Sequence, residues 1–319
     1  MNVKTVPLRA IDLEDDRFRT SYFFPLERLI QSIKKVGILS PLRLRAGRKG
    51  WVILSGWKRI LAGVELGLRT IPAVVVTEGD DVSCFIGAIE ENLATREVYL
   101  LEKSIALSRL ERFGLQRERL IREFMPWLGL PATVAHLEVF LSLARSDDGT
   151  KSFVAQKNPP LQLLEDLLRL KPADRKRVLP FLRPLGQNKQ KELLSDLLAV
   201  SLRENASVSR VLASVSAASG IARKNLTLQE KAERWRDELR RRRYPRLSRA
   251  RAAFAAARKR LALPESILIE PDPAFEEPAL TVSFRFETSE EFRECLSRLE
   301  AVAEKDCLAS LLSAMREKS

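Results

Sequence analysis

The chain has 319 residues, enough for two or three domains, and 45% of them are apolar, enough to form buried cores. Its 55 Lys and Arg against 42 Asp and Glu give a net charge of +13, which favours an anionic partner such as nucleic acid. Three widely spaced cysteines and a single histidine form neither a disulfide framework nor a set of zinc ligands. No apolar run is long enough to cross a bilayer and no signal peptide is recognisable, so we expect a cytoplasmic protein with no membrane partner.

The opening third of the sequence alternates strand and helix signals. Apolar residues recur at helical spacing from Leu26 to Ile33, with Gly37 placed to end that helix, and a second helical pattern lies between Gly56 and Gly67. Runs typical of strands precede, separate and follow these helices: TVPLRAIDL, PLRLRA, WVILSG and IPAVVV. Residues 1–98 are therefore predicted to form a compact α/β domain.

The middle of the chain is dominated by helical patterns. From Tyr99 onward apolar residues recur at spacings of three and four, as in LLEKSIALSRLERF and KELLSDLLAV, and Gly or Pro interrupts the pattern between these runs. An all-helical domain over residues 99–216 follows from this pattern.

Positive charge is concentrated after that domain. Residues 222–260 contain 15 Lys and Arg against 4 Asp and Glu, so they carry +11 of the net charge. We expect a basic helical hairpin over residues 222–262, broken near Pro245. Residues 263–319 show two strand patterns and a helix, a module that often pairs two chains, so a homodimer is expected. The fold class predicted for the whole chain is α+β.

Three sequence blocks carry a family resemblance: SIKKVGILSPLRLR, ILSGWKRILAGVELGLRTIPAVVV and IEENLATREVYLLEKSIALSRL. In order and approximate spacing they resemble the signature blocks of the ParB/sulfiredoxin superfamily, specifically of its ParB side. The resemblance covers residues 5 to about 145 well and the helices to about residue 215 loosely. It implies a ParB/sulfiredoxin-like N-terminal domain followed by a helix-turn-helix domain.

The resemblance also implies a site for a cytidine nucleotide, with its phosphates held by these blocks. The elbow at Gly56 agrees with this, because a helix start leaves backbone N–H groups without partners and Lys58 and Arg59 supply charge-assisted donors. The ligand that the resemblance implies is cytidine triphosphate (CTP) with Mg²⁺. When the contacts of the family are carried over residue by residue, they fall on Gly37, Ser40, Pro41, Gly56, Lys58, Arg59, Glu91, Asn92 and Arg96.

The departures from the family pattern concern catalysis. Trp57 stands where ParB proteins have the acidic residue linked to nucleotide hydrolysis, and Leu61 replaces an arginine. Sulfiredoxins place their reactive cysteine where Trp57 stands, so that chemistry is excluded. We expect at most a weak CTPase, assign no catalytic residue, and favour a ring packed in the core over base stacking for Trp57.

The stretch ERLIREFMPWLGLPATVAHLEVFLSLARS resembles the helix-turn-helix of ParB proteins, with residues 132–144 as the recognition helix. Its expected buried face is Val134, Leu137, Phe140 and Leu141. That choice leaves Thr133, His136 and Arg145 for DNA, while Arg117, Arg119 and Arg122 on the preceding helix would bind phosphates. A helix pair retained only as structure is the alternative.

Four consecutive arginines, Arg240, Arg241, Arg242 and Arg243, exceed what solubility requires and predict a contact with the DNA backbone; a solvated helix face is the alternative. The resemblance implies a nucleoid-associated protein of chromosome or plasmid partition, or of related DNA-bound regulation, with a ParA-like ATPase as a partner. The alternative function is an interaction scaffold that keeps the fold but has lost nucleotide and specific DNA binding.

Overall fold

The computed structural model describes residues 2–22, 26–221, 225–261, 263–264, 266–272 and 279–303. They belong to two compact units, Met1–Arg183 and Pro184–Ser319. Strands and helices are mixed along the chain, and the predicted α+β class is confirmed. The unit boundary lies inside the segment predicted as one helical domain, and the four-segment division of the chain stays a prediction.

A four-stranded sheet organises the start of the first unit. The strands are Val3–Pro7 (β1), Leu42–Ala46 (β2), Trp51–Ser55 (β3) and Thr70–Val75 (β4), in the spatial order β1-β4-β2-β3. Strand β4 pairs antiparallel with β1 and parallel with β2, and β3 is antiparallel to β2. Gly50 permits the tight β2–β3 turn, since its φ is +139° and a Cβ there would lie 2.5 Å from the carbonyl oxygen of Ala10.

A 3₁₀ turn, Leu8–Ala10, and three helices accompany the sheet: Glu27–Val36 (α1), Trp57–Glu65 (α2) and Asp81–Thr95 (α3). The apolar core includes five side chains with no exposed surface: Leu42, Leu44, Ile53, Ile60 and Ile71. Helix α2 begins two residues after β3 ends, because Gly56 alone makes the change of direction. The start of α2 is thereby fixed to the end of a buried strand.

The rest of the first unit is helical. Its helices are Leu100–Arg112 (α4), Arg117–Arg119 (α5), Met125–Trp127 (α6), Val134–Arg145 (α7), Asp148–Lys157 (α8), Leu161–Arg169 (α9) and Pro172–Leu182 (α10), with a π-helical turn at Leu120–Phe124 between α5 and α6. Leu137, Phe140 and Leu141 of α7 are buried as predicted. The prediction for Val134 was wrong: it is 66% exposed, because Thr133 caps α7 and Val134 is its first residue.

The second unit begins with the helices Gln187–Arg203 (α11), Val208–Ala218 (α12), Leu228–Arg243 (α13) and Pro245–Arg260 (α14). The predicted break near Pro245 is confirmed, since only Tyr244 separates α13 from α14. An antiparallel pair of strands, Ile267–Pro271 (β5) and Leu280–Phe284 (β6), and the helix Ser289–Ala303 (α15) follow. Across the residues that the structure describes, every helix is too short or too polar to span a membrane.

Candidate functional site

Five separated parts of the first unit meet around one cleft of about 350 Å³. They are the loop before α1, helix α1 itself, the loop from α1 to β2, the turn from β3 into α2, and the C-terminal end of α3. The volume lies within the range of small-molecule sites. Seven of the nine residues predicted to hold a nucleotide line this cleft: Ser40, Gly56, Lys58, Arg59, Glu91, Asn92 and Arg96.

The other two predicted residues, Gly37 and Pro41, are not among the residues that line the cleft. Gly37 ends α1 with a φ of +72°, and its N–H donates to the carbonyl of Ile33 over 2.9 Å. Pro41 contributes its backbone carbonyl, which accepts a hydrogen bond from Arg59. Pro41 therefore acts on the cleft through Arg59, whereas Gly37 ends the helix α1.

Gly56 is required by the shape of the turn. Its φ is +105°, and a Cβ there would lie 2.9 Å from Cγ of Leu42 and 3.3 Å from the guanidinium of Arg59. No side chain caps α2, so N–H groups of its first turn lack a side-chain acceptor. A glycine elbow at an uncapped helix start is favourable for an anion.

Arg59 reaches from α2 across the cleft wall. Its Nη1 donates to the carbonyls of Ser40 and Pro41, each over 2.7 Å, and its Nη2 lies 3.4 Å from Oε1 of Glu91. A guanidinium carries five N–H donors, so these contacts leave donors of Arg59 for a ligand. Its position is set by the carbonyls rather than by the long contact to the carboxylate.

Glu91 is the carboxylate that lines the cleft. Its Oε2 accepts from the hydroxyl of Ser55 over 2.6 Å and lies 3.9 Å from Nη1 of Arg43. With Arg59 on the other oxygen, this carboxylate is flanked by two cations and a hydroxyl. Its partners compensate its charge and hold it against the elbow.

Arg96 is engaged more completely than Arg59. It forms two hydrogen bonds with the carboxylate of Glu102, of 2.7 and 2.8 Å, and its Nε donates to Asn92 over 3.2 Å. Its Nη1 also donates to the carbonyl of Glu97. These contacts tie the end of α3 to the start of α4 and leave Arg96 few donors for a ligand.

Lys58 lies on the first turn of α2 and lines the same cleft. Burial, together with repulsion from Arg96, lowers the pKa of Lys58 below its ordinary value, although the charge of Glu102 opposes the shift. An anion in the cleft would favour the protonated amine. The cleft therefore contains a desolvated cation whose charge a ligand would stabilise.

Trp57 is 5% exposed and packs in the sheet core, as the packed-ring interpretation predicted. Its Nε1 has no hydrogen-bond partner among the described residues. The guanidinium of Arg19 lies 5.1 Å from the centroid of a Trp57 ring, a cation–π contact at the cleft edge. The sequence reasoning missed Phe18, Thr20 and Ser21, which also line the cleft, because they lie in an aperiodic loop that no motif marks.

The candidate base-reading residues of α7 have partners inside the first unit. Oγ1 of Thr133 accepts from the backbone N–H of His136 over 3.2 Å and lies 2.7 Å from its Nδ1. Nε2 of His136 lies 3.2 Å from Oε1 of Glu165. Thr133 is thus the N-cap of α7, and both ring nitrogens of His136 are engaged.

Most of the arginines predicted to contact DNA in the first unit are also paired. Arg117 and Arg145 both contact Glu111 over 2.9 Å, and Arg119 contacts Glu123 over 2.8 Å. Arg122 is exposed and has no ion pair among the described residues. The helix-turn-helix therefore offers DNA one unpaired cation from the predicted set.

Three of the four consecutive arginines form ion pairs with carboxylates of the second unit. Glu238, although 7% exposed, holds both Arg241 and Arg242 over 2.8 Å, and Arg243 forms an ion pair with Asp196. Burial opposes ionisation of Glu238, but hydrogen bonds from the two arginines hold its pKa below its ordinary value. Arg240 is exposed and makes no ion pair within the described ranges.

Helix α14 presents a different surface, here called the α14 basic surface. It contains no acidic residue, and all six of its basic side chains are exposed: Arg246, Arg249, Arg251, Arg258, Lys259 and Arg260. The opposite face packs through Phe254 and Ala257 against a small core. The α14 basic surface is therefore better placed to contact a polyanion than the run of four arginines in α13.

Aromatic side chains form an exposed cluster on the terminal module. The rings of Phe284, Phe286 and Phe292 lie with centroids 4.8 to 6.1 Å apart. Phe286 is 52% exposed and Phe292 is 36% exposed. Contiguous exposed rings of this kind are typical of surfaces that bind another protein.

Residues 1–93 of the chain match the protein family described as the ParB N-terminal domain. The chromosome-partitioning protein ParB of Myxococcus xanthus is 34% identical over 122 residues, which are 37% of this chain and 40% of that protein. The nucleoid occlusion protein of Halalkalibacterium halodurans is 30% identical over 122 residues, 37% of this chain and 42% of that protein. The chain thus spans less than half the length of these two relatives. A crystal structure of C-terminally truncated ParB from Caulobacter crescentus with CTP-gamma-S is 22% identical in sequence to this chain. The match covers 56% of this chain and 99% of the crystallised chain, with a TM-score of 0.28.

Proposed function

We propose that this chain is a DNA-binding protein of chromosome or plasmid partition, or of related DNA-bound regulation. The reason is that residues 1–93 are a ParB N-terminal domain. The relatives from Myxococcus xanthus and Halalkalibacterium halodurans are named for chromosome partition and nucleoid occlusion, which supports this role. Nucleoid association, a homodimer and a ParA-like ATPase partner are parts of the same proposal. The exposed rings of Phe286 and Phe292 are the surface we propose for pairing two chains.

The cleft at the Gly56 elbow is the proposed site of CTP. The observation that carries this proposal is the convergence of three separated sequence blocks on one cleft that contains Lys58 and Arg59. We assign these two side chains and the start of α2 to the phosphates. Arg96 contributes mainly by holding α3 to α4, since Glu102 occupies most of its donors.

Mg²⁺ would be held chiefly by the nucleotide. No group of three or more His, Cys, Asp and Glu suited to a metal occurs among the described residues, and Glu91 is the carboxylate lining the cleft. Mg²⁺ commonly binds through substrate phosphates with one or two carboxylates, which this arrangement fits. When bound, the ion would neutralise charge on the phosphates.

Hydrolysis is proposed to be absent or very slow. Trp57 provides no carboxylate, and Glu91 is already engaged by Ser55, Arg59 and Arg43. A carboxylate with these partners is a weak general base. Measurement of phosphate release from CTP, with and without duplex DNA, tests this part: release at the rate of an efficient CTPase would show that another group activates water.

An interaction scaffold that has lost nucleotide and specific DNA binding is the second candidate function. The observation that favours it is the engagement of Thr133 and His136 within the first unit. Calorimetric titration of CTP into the full chain separates the candidates. Saturable binding supports the nucleotide proposal, and the absence of binding at millimolar CTP supports the scaffold.

A further inference from the structure

A second cleft of about 350 Å³ lies in the first unit and takes no part in the function proposed above. Four elements line it: the loop before α1 and the helices α4, α7 and α8. Four basic side chains, Arg19, Arg109, Arg112 and Lys151, face it together with one carboxylate, that of Asp16. Its lining therefore carries three positive charges in excess.

The single carboxylate of the lining neutralises only one of these cations. Asp16 is paired with Arg109 over 2.9 Å. Arg19 donates its Nε to the carbonyl of Ser21 over 3.0 Å, and neither Arg19 nor Arg112 has an ion pair among the described residues. Burial, with a contribution from the charge of Arg109, lowers the pKa of Arg19 even though Asp16 opposes the shift. A partly buried guanidinium of this kind is stabilised by an anion.

The remaining groups at the cleft do not supply that anion. Nζ of Lys151 lies 6.0 Å from the ring centroid of Tyr22, and it forms no ion pair within the described ranges. The hydroxyl of Tyr22 donates to Asp148 over 2.9 Å, so that carboxylate is directed to the phenol. Ser108 is 6% exposed, and its hydroxyl makes no hydrogen bond to the described residues, which leaves it as a donor at the cleft.

We infer that this cleft binds a phosphate group, held by Arg19, Arg112 and Lys151 with the hydroxyl of Ser108. Guanidinium, ammonium and hydroxyl donors converging from three elements are the chemistry that recognises a tetrahedral oxyanion. The phosphate can belong to a free anion or to the backbone of DNA, and both present the same oxygens. The inference does not rest on the CTP cleft, since Lys58 and Arg59 are not part of this lining.

The test uses the full chain and inorganic phosphate, titrated by calorimetry in a phosphate-free buffer of constant ionic strength. The double variant Arg112→Gln/Lys151→Gln removes two cations that hold no ion pair, so its fold should survive, and a thermal melt checks this. We expect phosphate affinity to fall by at least about tenfold, because two charge-assisted contacts are lost. Lys49→Gln, an exposed lysine in the β2–β3 turn, is the matched control and should bind as wild type does.

Two further arms identify the source of the phosphate and separate this cleft from the CTP cleft. Arg59→Gln should lose CTP affinity but keep the phosphate site, so the two proposals fail independently. If the double variant also binds a 20-base-pair duplex more weakly, with a shallower salt dependence, the phosphate is that of the DNA backbone. If duplex affinity is unchanged while inorganic phosphate is lost, the ligand is a free anion. A folded double variant that binds both inorganic phosphate and duplex as wild type does overturns the inference.

Discussion

The CTP cleft and the helix-turn-helix differ in how the fold uses the residues that sequence assigned to them. At the cleft, Arg59 is positioned by two backbone carbonyls and keeps donors for a ligand. On α7, Thr133 and His136 bond each other, and His136 also contacts Glu165. Residue type alone does not separate these cases. What separates them is whether the partner of a polar group lies inside the protein or is left to a ligand.

The largest effect that follows from this contrast is expected at the cleft elbow. Gly56→Val should destabilise the first unit by about 2 kcal/mol or more, because Gly56 has a positive φ and its Cβ position meets Leu42. Gly67→Ala is the control: its φ is +66° with nothing within 4 Å of a Cβ, so only the backbone cost of about 1 kcal/mol remains. Urea unfolding measures both. Equal losses would mean that packing at the elbow is unimportant.

The second effect concerns DNA and contrasts α13 with α14. Replacing Arg246, Arg249, Arg258 and Lys259 by glutamine should weaken duplex binding without lowering stability and should reduce the salt slope by about 0.9 per lost phosphate contact. Arg241→Gln/Arg242→Gln should instead destabilise the fold by about 1–3 kcal/mol, because Glu238 is left buried without its partners.

Salt-dependent duplex binding and thermal melts distinguish these outcomes. Adding Glu238→Gln to the α13 variant should restore part of the lost stability. If the α13 pair reduces DNA affinity at unchanged stability while the α14 variant binds as wild type does, the α14 basic surface is not the polyanion contact.

The third effect is a pH dependence at Lys58. Because its pKa is lowered in the folded state, the unfolded chain binds this proton more tightly, so stability should rise with pH from the lowered pKa up to the ordinary value of 10.5. Affinity for CTP should move the opposite way over the same range, since phosphates favour the charged amine. Titrations of wild type and Lys58→Arg test this, because arginine stays charged throughout. An identical decline of affinity in both proteins would remove Lys58 from the phosphate role.

The smallest effect is expected for the candidate base readers. Thr133→Ala should cost about 1 kcal/mol of stability through loss of the α7 N-cap. His136→Ala should change duplex affinity by less than about threefold, since the ring is directed to Thr133 and Glu165. Thermal melts and duplex titrations check both. Loss of all duplex binding in a folded His136→Ala protein would assign the recognition role to α7 after all.

Sequence predicted the local features of the fold well, because they depend on near neighbours. The strand–helix alternation around the Gly56 elbow, the packed ring of Trp57 and the break at Pro245 are all confirmed. The convergence of Ser40, Gly56 and Glu91 on one cleft was implied by the family resemblance of the blocks that contain them. Turn residues and apolar periodicity can be recognised within short windows of sequence.

What sequence could not predict is which cations are already paired. Arg59 forms an ion pair with Glu91, and Arg243 forms one with Asp196; each pair joins distant parts of the chain. A run of arginines therefore looks uniform in sequence, although Arg240 and Arg242 have different surroundings. The exposure of Val134 was mispredicted for a related reason, since the capping of α7 by Thr133 decides where the helix begins.

Titration of CTP into wild type and Arg59→Ala tests the central claim most directly. We expect saturable binding by wild type and an affinity about 10- to 100-fold lower for Arg59→Ala, because a charge-assisted phosphate contact is lost. Arg45→Ala is the control, since Arg45 is ion-paired with Asp81 and does not line the CTP cleft; it should bind within about twofold of wild type. Equal affinities of wild type and a folded Arg59→Ala protein, or no binding by wild type, would contradict the assignment of this cleft to CTP.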